Sequence, residues 1–306
     1  MKDTILFGDC RETLKEFTSK ARMCVTSPPY YGLRDYGGEE NQIGQEQSPE
    51  EFIQNLVEVF SLVKDCLTDD GTLWVNIGDS YYNYRPGKGQ SYPKQSVSKT
   101  KQDLPDKCNK RGNKLEGLKE KDLIGIPWML AFALRADGWY LRQDIIWHKP
   151  NPMPESVRDR CTKSHEYIFL LSKNKRYYYD NEAIKEPAKD WGTRDRTNGK
   201  YHNKGTGLNP HTGLSKSYAK KNKRSVWSVT NKPYKGAHFA VYPPDLIEPC
   251  IRAGSEAGDI ILDPFMGSGT TARVARSLNR DYIGCELHED YRELIEIPSL
   301  DGLVEK

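Results

Sequence analysis

The sequence lacks several features that would assign it to other classes of protein. No run of 18 apolar residues occurs in its 306 residues, and no signal-peptide segment stands at its start, so we expect no membrane segment. Its seven cysteines are scattered without a CxxC pair. This spacing predicts reduced thiols, a cytoplasmic protein and no zinc or other metal site. No zinc finger or helix-turn-helix pattern is evident either.

Most of the chain has no excess of positive charge. The excess is confined to two segments. The net charge is only +3, but residues 85–121 carry +7 and residues 173–235 carry +11, which leaves −15 for the remainder. An acidic body with two basic segments is typical of a protein that binds a polyanion. The alternative, that the basic loops only keep the protein soluble, explains so strong a separation less well.

A stiff loop follows the apolar run at residues 23–25, which we predict to be a strand. Its sequence is Ser27-Pro28-Pro29-Tyr30. Two consecutive prolines fix the backbone and remove two N–H groups, so the loop presents carbonyl acceptors between a hydroxyl and an aromatic ring. Such a loop suits a flat group with N–H protons, which the oxygens bind and the ring stacks on. The alternative is a proline turn packed by the tyrosine.

A glycine-rich loop lies near the other end of the chain. An apolar strand leads into DPFMGSGTT at residues 263–271, then a helix to about residue 279 and a strand ending at Glu286. This β-α-β pattern is typical of nucleotide binding, with the final carboxylate on ribose hydroxyls. No lysine follows the last glycine, so a phosphate-binding loop is excluded. Asp263 also disfavours a pyrophosphate, and a cofactor with an adenosine half and a cationic sulfonium half fits better.

Together these two loops resemble those of the DNA amino-methyltransferases, which modify N4 of cytosine or N6 of adenine with S-adenosylmethionine. The order found here, SPPY first and DPFMGSGTT last, is that of the permuted β class. The resemblance implies an α/β fold: a doubly wound, circularly permuted Rossmann-like methyltransferase sheet with inserted basic DNA-recognition segments. It also implies site-specific methylation of double-stranded DNA at a flipped base. A cognate restriction endonuclease is a candidate partner, and the oligomeric state is left open.

The chain is long enough for one large α/β domain with inserted modules. We predict that residues 1–79 form the catalytic half of that domain and that residues 80–121 form a basic, flexible insertion. Residues 122–172 continue the domain, residues 173–235 form the target-recognition segment, and residues 236–306 form the cofactor-binding half.

The resemblance and the basic segments assign three groups of site residues. The catalytic residues are Ser27, Pro28, Pro29 and Tyr30. The cofactor-binding residues are Asp9, His238, Phe239, Pro243, Asp263, Pro264, Phe265, Gly267, Ser268, Gly269, Thr270 and Glu286. The DNA-binding residues are Arg34, Lys149, Arg176, Arg194, Lys221 and Arg224. For Asp9, the cap of a helix over residues 10–17 is an equally good interpretation.

The identity of the target base depends on one residue. Ser27, where the adenine enzymes commonly carry aspartate, favours N4 of cytosine over N6 of adenine. Both bases present the same amine, so the adenine alternative stays open. An RNA methyltransferase and an inactive DNA-binding homologue are further alternatives.

Overall fold

The computed structural model of the protein describes residues 2–32, 42–82, 115, 117–188, 219–231 and 242–295. The strands are β1 (Thr4–Phe7), β2 (Ala21–Thr26), β3 (Leu67–Ile77), β4 (Tyr140–His148), β5 (His165–Ser172), β6 (Glu186–Pro187), β7 (Lys220–Lys221), β8 (Val226–Ser228), β9 (Ile260–Asp263) and β10 (Asp281–Glu286). The α-helices are α1 (Cys10–Thr13), α2 (Pro49–Cys66), α3 (Ile126–Ala136), α4 (Pro244–Gly254) and α5 (Thr270–Ser277). Two 3₁₀ helices span Leu14–Glu16 and Glu289–Leu294.

One eight-stranded sheet organises these elements, in the order β1-β10-β9-β2-β3-β5-β4-β8. β5 runs antiparallel to both of its neighbours, and every other pair in this sheet is parallel. The chain leaves β9 through α5 towards one edge and leaves β2 through α2 towards the other. The boundary between β2 and β9 is therefore the topological switch point of a doubly wound sheet. The α/β fold class predicted from the sequence is confirmed.

Helices cover both faces of the sheet because its strands alternate apolar side chains between two cores. In β3, Leu73 and Val75 face the core beneath α1, α2 and α3, whereas Trp74 faces the core beneath α4 and α5. Helix α2 starts where the sequence predicts, since Ser48 Oγ accepts a hydrogen bond from the Glu51 amide at 3.1 Å and proline occupies the first turn.

Some element boundaries differ from those that the sequence predicts. Strand β3 begins at Leu67 instead of residue 72, because Leu67 pairs with Ala21 ahead of a register shift. The helix expected over residues 10–17 is α1 followed by a 3₁₀ turn. Helix α5 ends at Ser277, and Asn279, with a φ of 60°, turns the chain towards β10.

Parts of both predicted insertions lie outside the described residues. These parts are residues 83–114 and 116 of the first segment and residues 189–218 and 232–241 around the second. The domain boundaries and the flexible insertion therefore stay predictions. Within the described ranges, no helix has the length and apolar character needed to cross a bilayer.

Candidate active site

A cavity of about 580 Å³ opens at the carboxyl ends of the parallel strands. Residues that follow four of these strands line it, among them Asp9 after β1, Ser27 after β2, Pro264 after β9 and Leu287 after β10. Ligands of doubly wound sheets bind at this edge, beside the switch point. The sheet thus brings the two ends of the chain, which carry the two predicted loops, into one site.

All four residues of the predicted catalytic loop line the cavity. Tyr30 Oη donates a hydrogen bond to Glu166 Oε2 at 2.6 Å. A Cβ at Gly78 would lie 2.6 Å from Tyr30 Cε2, so the ring packs directly on that backbone. Among the described residues, no hydrogen bond engages the Ser27 hydroxyl. The loop therefore holds its ring in place while its hydroxyl stays available to a ligand.

Glu166 connects the catalytic loop with two other parts of the chain, the end of β3 and the segment after β4. Because β5 is antiparallel, its first residues reach the cavity edge. The Glu166 carboxylate accepts hydrogen bonds from Tyr30 Oη, from Asn76 Nδ2 at 3.3 Å and from Lys149 Nζ. Glu166 and Asn76 were not predicted from the sequence as site residues. The available signal was a charged residue at the start of an otherwise apolar strand.

Lys149 lies inside this network, which differs from the DNA contact predicted for it. Its side chain is only 17% exposed and forms an ion pair with Glu166. Its Nζ also lies 4.2 Å from the centroid of the Trp147 ring. The Glu166 carboxylate neutralises the Lys149 charge, so Lys149 supports the catalytic loop through Glu166. Its contact with DNA stays a prediction.

Three of the other predicted DNA-binding residues are described, namely Arg176, Lys221 and Arg224, and none of them lines the cavity. Arg176 follows β5, and antiparallel β5 ends at the opposite edge of the sheet. Lys221 lies in β7 and approaches Glu186 Oε2 at 3.7 Å. Arg224 is exposed just before β8. Arg34 and Arg194 lie outside the described residues.

The glycine-rich loop contributes most of its residues to the opposite wall of the cavity. The lining residues from this loop are Pro264, Phe265, Met266, Gly267, Ser268 and Thr270. Gly267 and Gly269 have positive φ angles of 54° and 79°. A Cβ at Gly269 would lie 2.7 Å from Ile295 Cγ2, so glycine permits both the turn and this close packing.

Glu286 ends β10 beside that loop, as the sequence predicts. Its carboxylate accepts hydrogen bonds from the amides of Gly267 at 2.8 Å and His288 at 3.0 Å, and the residue is 7% exposed. Burial raises the pKa of Glu286 above its usual value, although these bonds act in the opposite direction. Glu286 lines the cavity, where its carboxylate is positioned for hydroxyl groups.

Asp263 lies behind the cavity wall and is only 1% exposed. Its carboxylate accepts hydrogen bonds from Thr26 Oγ1 at 2.6 Å, from the Phe265 amide at 3.0 Å, from Tyr242 Oη at 3.1 Å and from Thr271 Oγ1. Burial raises the pKa of Asp263 despite these donors. Through these bonds Asp263 positions the two loops relative to each other. The carboxylate does not line the cavity, and its direct contact with the cofactor stays a prediction.

Asp9 caps α1 and also lies at the cavity, so cofactor binding by Asp9 stays a prediction. Its carboxylate accepts hydrogen bonds from the Arg11 amide at 2.9 Å and from Arg11 Nη2 at 2.6 Å, so it caps α1. Burial alone would raise the pKa of Asp9, but the hydrogen bonds from Arg11 outweigh burial and lower it. The residue also lines the cavity.

The four remaining predicted cofactor-binding residues either do not line the cavity or lie outside the described residues. Pro243 and Gly269 do not line the cavity; they precede α4 and α5, respectively. His238 and Phe239 lie outside the described residues.

An adenosine-containing cofactor fits the residues on this wall. The buried Ser268 Oγ has no hydrogen-bond partner among the described residues, although such a group normally has one. Glu286 offers a carboxylate for ribose hydroxyls, and Phe265 offers an aromatic surface. His288 and Tyr291 complete the wall, and both were missed from the sequence because their segment has no recognisable pattern.

The fold and the cavity define the class: an α/β enzyme that binds a nucleotide-type cofactor at the switch point of its sheet. The model of the N6/N4 methyltransferase family, described as DNA methylase, matches residues 21–296. The chain therefore belongs to this family of DNA methylases. Membership confirms the predicted resemblance, S-adenosylmethionine as the cofactor and site-specific methylation of DNA at an exocyclic amine.

Individual proteins agree with this assignment. The Type II methyltransferase M.SmaI of Serratia marcescens is 48% identical over 296 residues, which cover 95% of this chain and 88% of M.SmaI. The PvuII DNA methyltransferase, described as cytosine-N4-specific, shares the fold with a TM-score of 0.62 at 18% identity, covering 96% of this chain and 85% of its own. A DNA modification methylase of Thermus thermophilus, complexed with S-adenosyl-L-methionine, aligns with a TM-score of 0.59 at 22% identity, covering 95% of this chain and 90% of its own.

Proposed function

We propose that the protein methylates N4 of cytosine within a specific DNA site. The observation that carries the base assignment is Ser27, a hydroxyl at the head of the catalytic loop on the cavity wall. In the resembling family, SPPY loops are commoner among the cytosine enzymes. The PvuII enzyme, described as cytosine-N4-specific, shares the fold, which is compatible with this proposal.

The catalytic loop activates the amine by fixing its hydrogen atoms. A cytosine inside a duplex cannot reach a cavity of this kind, so the base is flipped out. Ser27 Oγ and the Pro28 carbonyl accept the two N–H bonds of the amine, which directs its lone pair towards the opposite wall. Tyr30, held by Glu166, stacks on the base. Positioning of this type is worth roughly 7–11 kcal/mol of the barrier.

The opposite wall holds the cofactor. When bound, S-adenosylmethionine supplies the electrophilic methyl group. Glu286 accepts hydrogen bonds from the ribose hydroxyls, and the backbone at Gly267 permits close approach of the nucleoside. The hydrogen bond from Thr26 to Asp263 fixes the position of this wall relative to the catalytic loop.

The proposed cellular role follows from the relatives and from charge. M.SmaI is named a Type II methyltransferase, so we propose that this chain is the modification enzyme of a restriction–modification system with a cognate endonuclease. The two basic segments supply contacts to the phosphates of double-stranded DNA. We place the enzyme in the cytoplasm, where its free thiols stay reduced.

Nucleoside analysis tests the assignment. Duplex DNA of varied sequence is incubated with the protein and S-adenosylmethionine, digested, and analysed by mass spectrometry. We expect N4-methylcytosine, whereas N6-methyladenine would overturn the base assignment. We also expect Ser27→Ala to abolish transfer while cofactor binding survives. Ser61→Ala, which removes an exposed hydroxyl on α2 outside the cavity, is the matched control.

A further inference from the structure

A proline-rich loop after β4, residues 149–154, forms part of the cavity mouth. Pro152 and Met153 line the cavity, yet Met153 is 63% exposed. Large exposed hydrophobic side chains in the described ranges are those of Leu123, Phe132, Tyr140, Met153, Tyr179 and Val226. Only Met153 among these six lines the cavity. The loop therefore presents an apolar side chain to solvent at the point where a base has to enter.

The loop is stiff enough to keep Met153 in that position. Prolines at 152 and 154 restrict the backbone on both sides of it. Asn151 exchanges two hydrogen bonds with the backbone of Asn231, at 3.1 and 3.0 Å. At the start of the loop, the Lys149 amide donates to the Ser164 carbonyl at 2.8 Å. The prolines and these hydrogen bonds thus fix the backbone that carries Met153.

A duplex that loses one base from its stack is left with a gap. Apolar side chains of other DNA-binding proteins enter between base steps and partly unstack them. A step already opened by the loss of a base is a site where such a side chain can enter. Methionine suits this use because its side chain is unbranched and polarisable and adapts to irregular spaces. An apolar group that would otherwise remain in water gains burial when it enters the stack.

We propose that Met153 enters the base stack at the position that the target base vacates and stabilises the flipped state. The proposal rests on the DNA methyltransferase function but not on which base is methylated. Met153 acts after the duplex has been placed over the cavity mouth.

The test compares two substrates. Once the methylated site is mapped by sequencing, two oligonucleotide duplexes containing it are prepared: one fully paired, and one with an abasic position opposite the target base. We expect Met153→Ala to lower kcat/KM on the paired duplex by about tenfold, because flipping from a paired stack is costly. On the abasic duplex, where no pairing has to be broken, the variant stays close to wild type. Met153→Leu retains activity on both.

Two results would overturn the proposal: unchanged kinetics of Met153→Ala on the paired duplex, or an equal loss on both duplexes. Leu123→Ala, which truncates another large exposed apolar side chain outside the cavity, is the control and should match wild type. Titration with S-adenosylmethionine verifies that the cofactor wall is intact. Failure of the DNA methyltransferase function shows itself separately, since wild-type protein would then methylate neither duplex.

Discussion

At the scale of single residues, Glu166 is the group on which the catalytic tyrosine depends. We predict that Tyr30→Phe and Glu166→Gln each lower kcat by about tenfold with little change in cofactor affinity, because the ring loses its fixed orientation. Since both changes affect the hydrogen bond between Tyr30 and Glu166, the loss in the double variant should be smaller than the sum of the two single losses. Single-turnover kinetics of the wild type, the two single variants and the double variant measure these losses. Strictly additive losses would show that the two residues act independently.

Glu286 links cofactor affinity to pH. Its raised pKa means that it takes up a proton at a higher pH than an ordinary glutamate. The ionised carboxylate is the better acceptor for ribose hydroxyls, so affinity for S-adenosylmethionine should fall as the pH is lowered from neutral to mildly acidic. Calorimetric titration over that range measures the effect.

Glu286→Gln supplies the matched control for this pH dependence. The amide cannot ionise, so we expect weaker binding that no longer changes over the same range. A persistent pH dependence in Glu286→Gln would assign the titration to another group.

At the scale of elements, one buried hydrogen bond joins β2 to β9 at the switch point. Thr26 and Asp263 are both buried, and the bond between them is 2.6 Å long. Thr26→Val keeps the shape of the side chain but leaves Asp263 with one donor fewer, so it should destabilise the fold by about 1–3 kcal/mol. Urea unfolding measures the change. Thr4→Val, at an exposed hydroxyl on β1, should have little effect.

The strands and loops also show how much of this molecule the sequence could predict. The strands and loops at residues 23–30 and 260–286 carry local patterns, and residues of both loops, together with Glu286, line the cavity. Glu166 and Lys149 could not be paired from the sequence, because the pairing depends on β5 running antiparallel beside β4. Strand direction arises from contacts between distant segments, which periodicity does not encode. Asp263 was placed in the correct loop, but its inward orientation depends on Thr26 and Tyr242, which come from other elements.

At the scale of the whole molecule, the position of the cavity determines which cations can reach the duplex. A target base enters at the carboxyl edge of the sheet, so the phosphates that flank it lie along that edge. Arg158 is exposed between Glu155 and Lys163, both of which line the cavity. Arg176 follows the far end of β5, and eight residues of strand separate the two edges by about 25 Å.

We therefore predict that Arg158→Ala weakens DNA binding, whereas Arg176→Ala leaves it unchanged. The loss of one phosphate contact should reduce the slope of log K against log salt by about 0.9 for Arg158→Ala only. Fluorescence anisotropy with a duplex at several salt concentrations provides both slopes. The two variants remove the same charge from exposed positions, so they differ only in the edge of the sheet on which that charge lies. An equal reduction in both slopes would mean that the duplex contacts both edges, and that the basic residues after β5 belong to the DNA-binding surface after all.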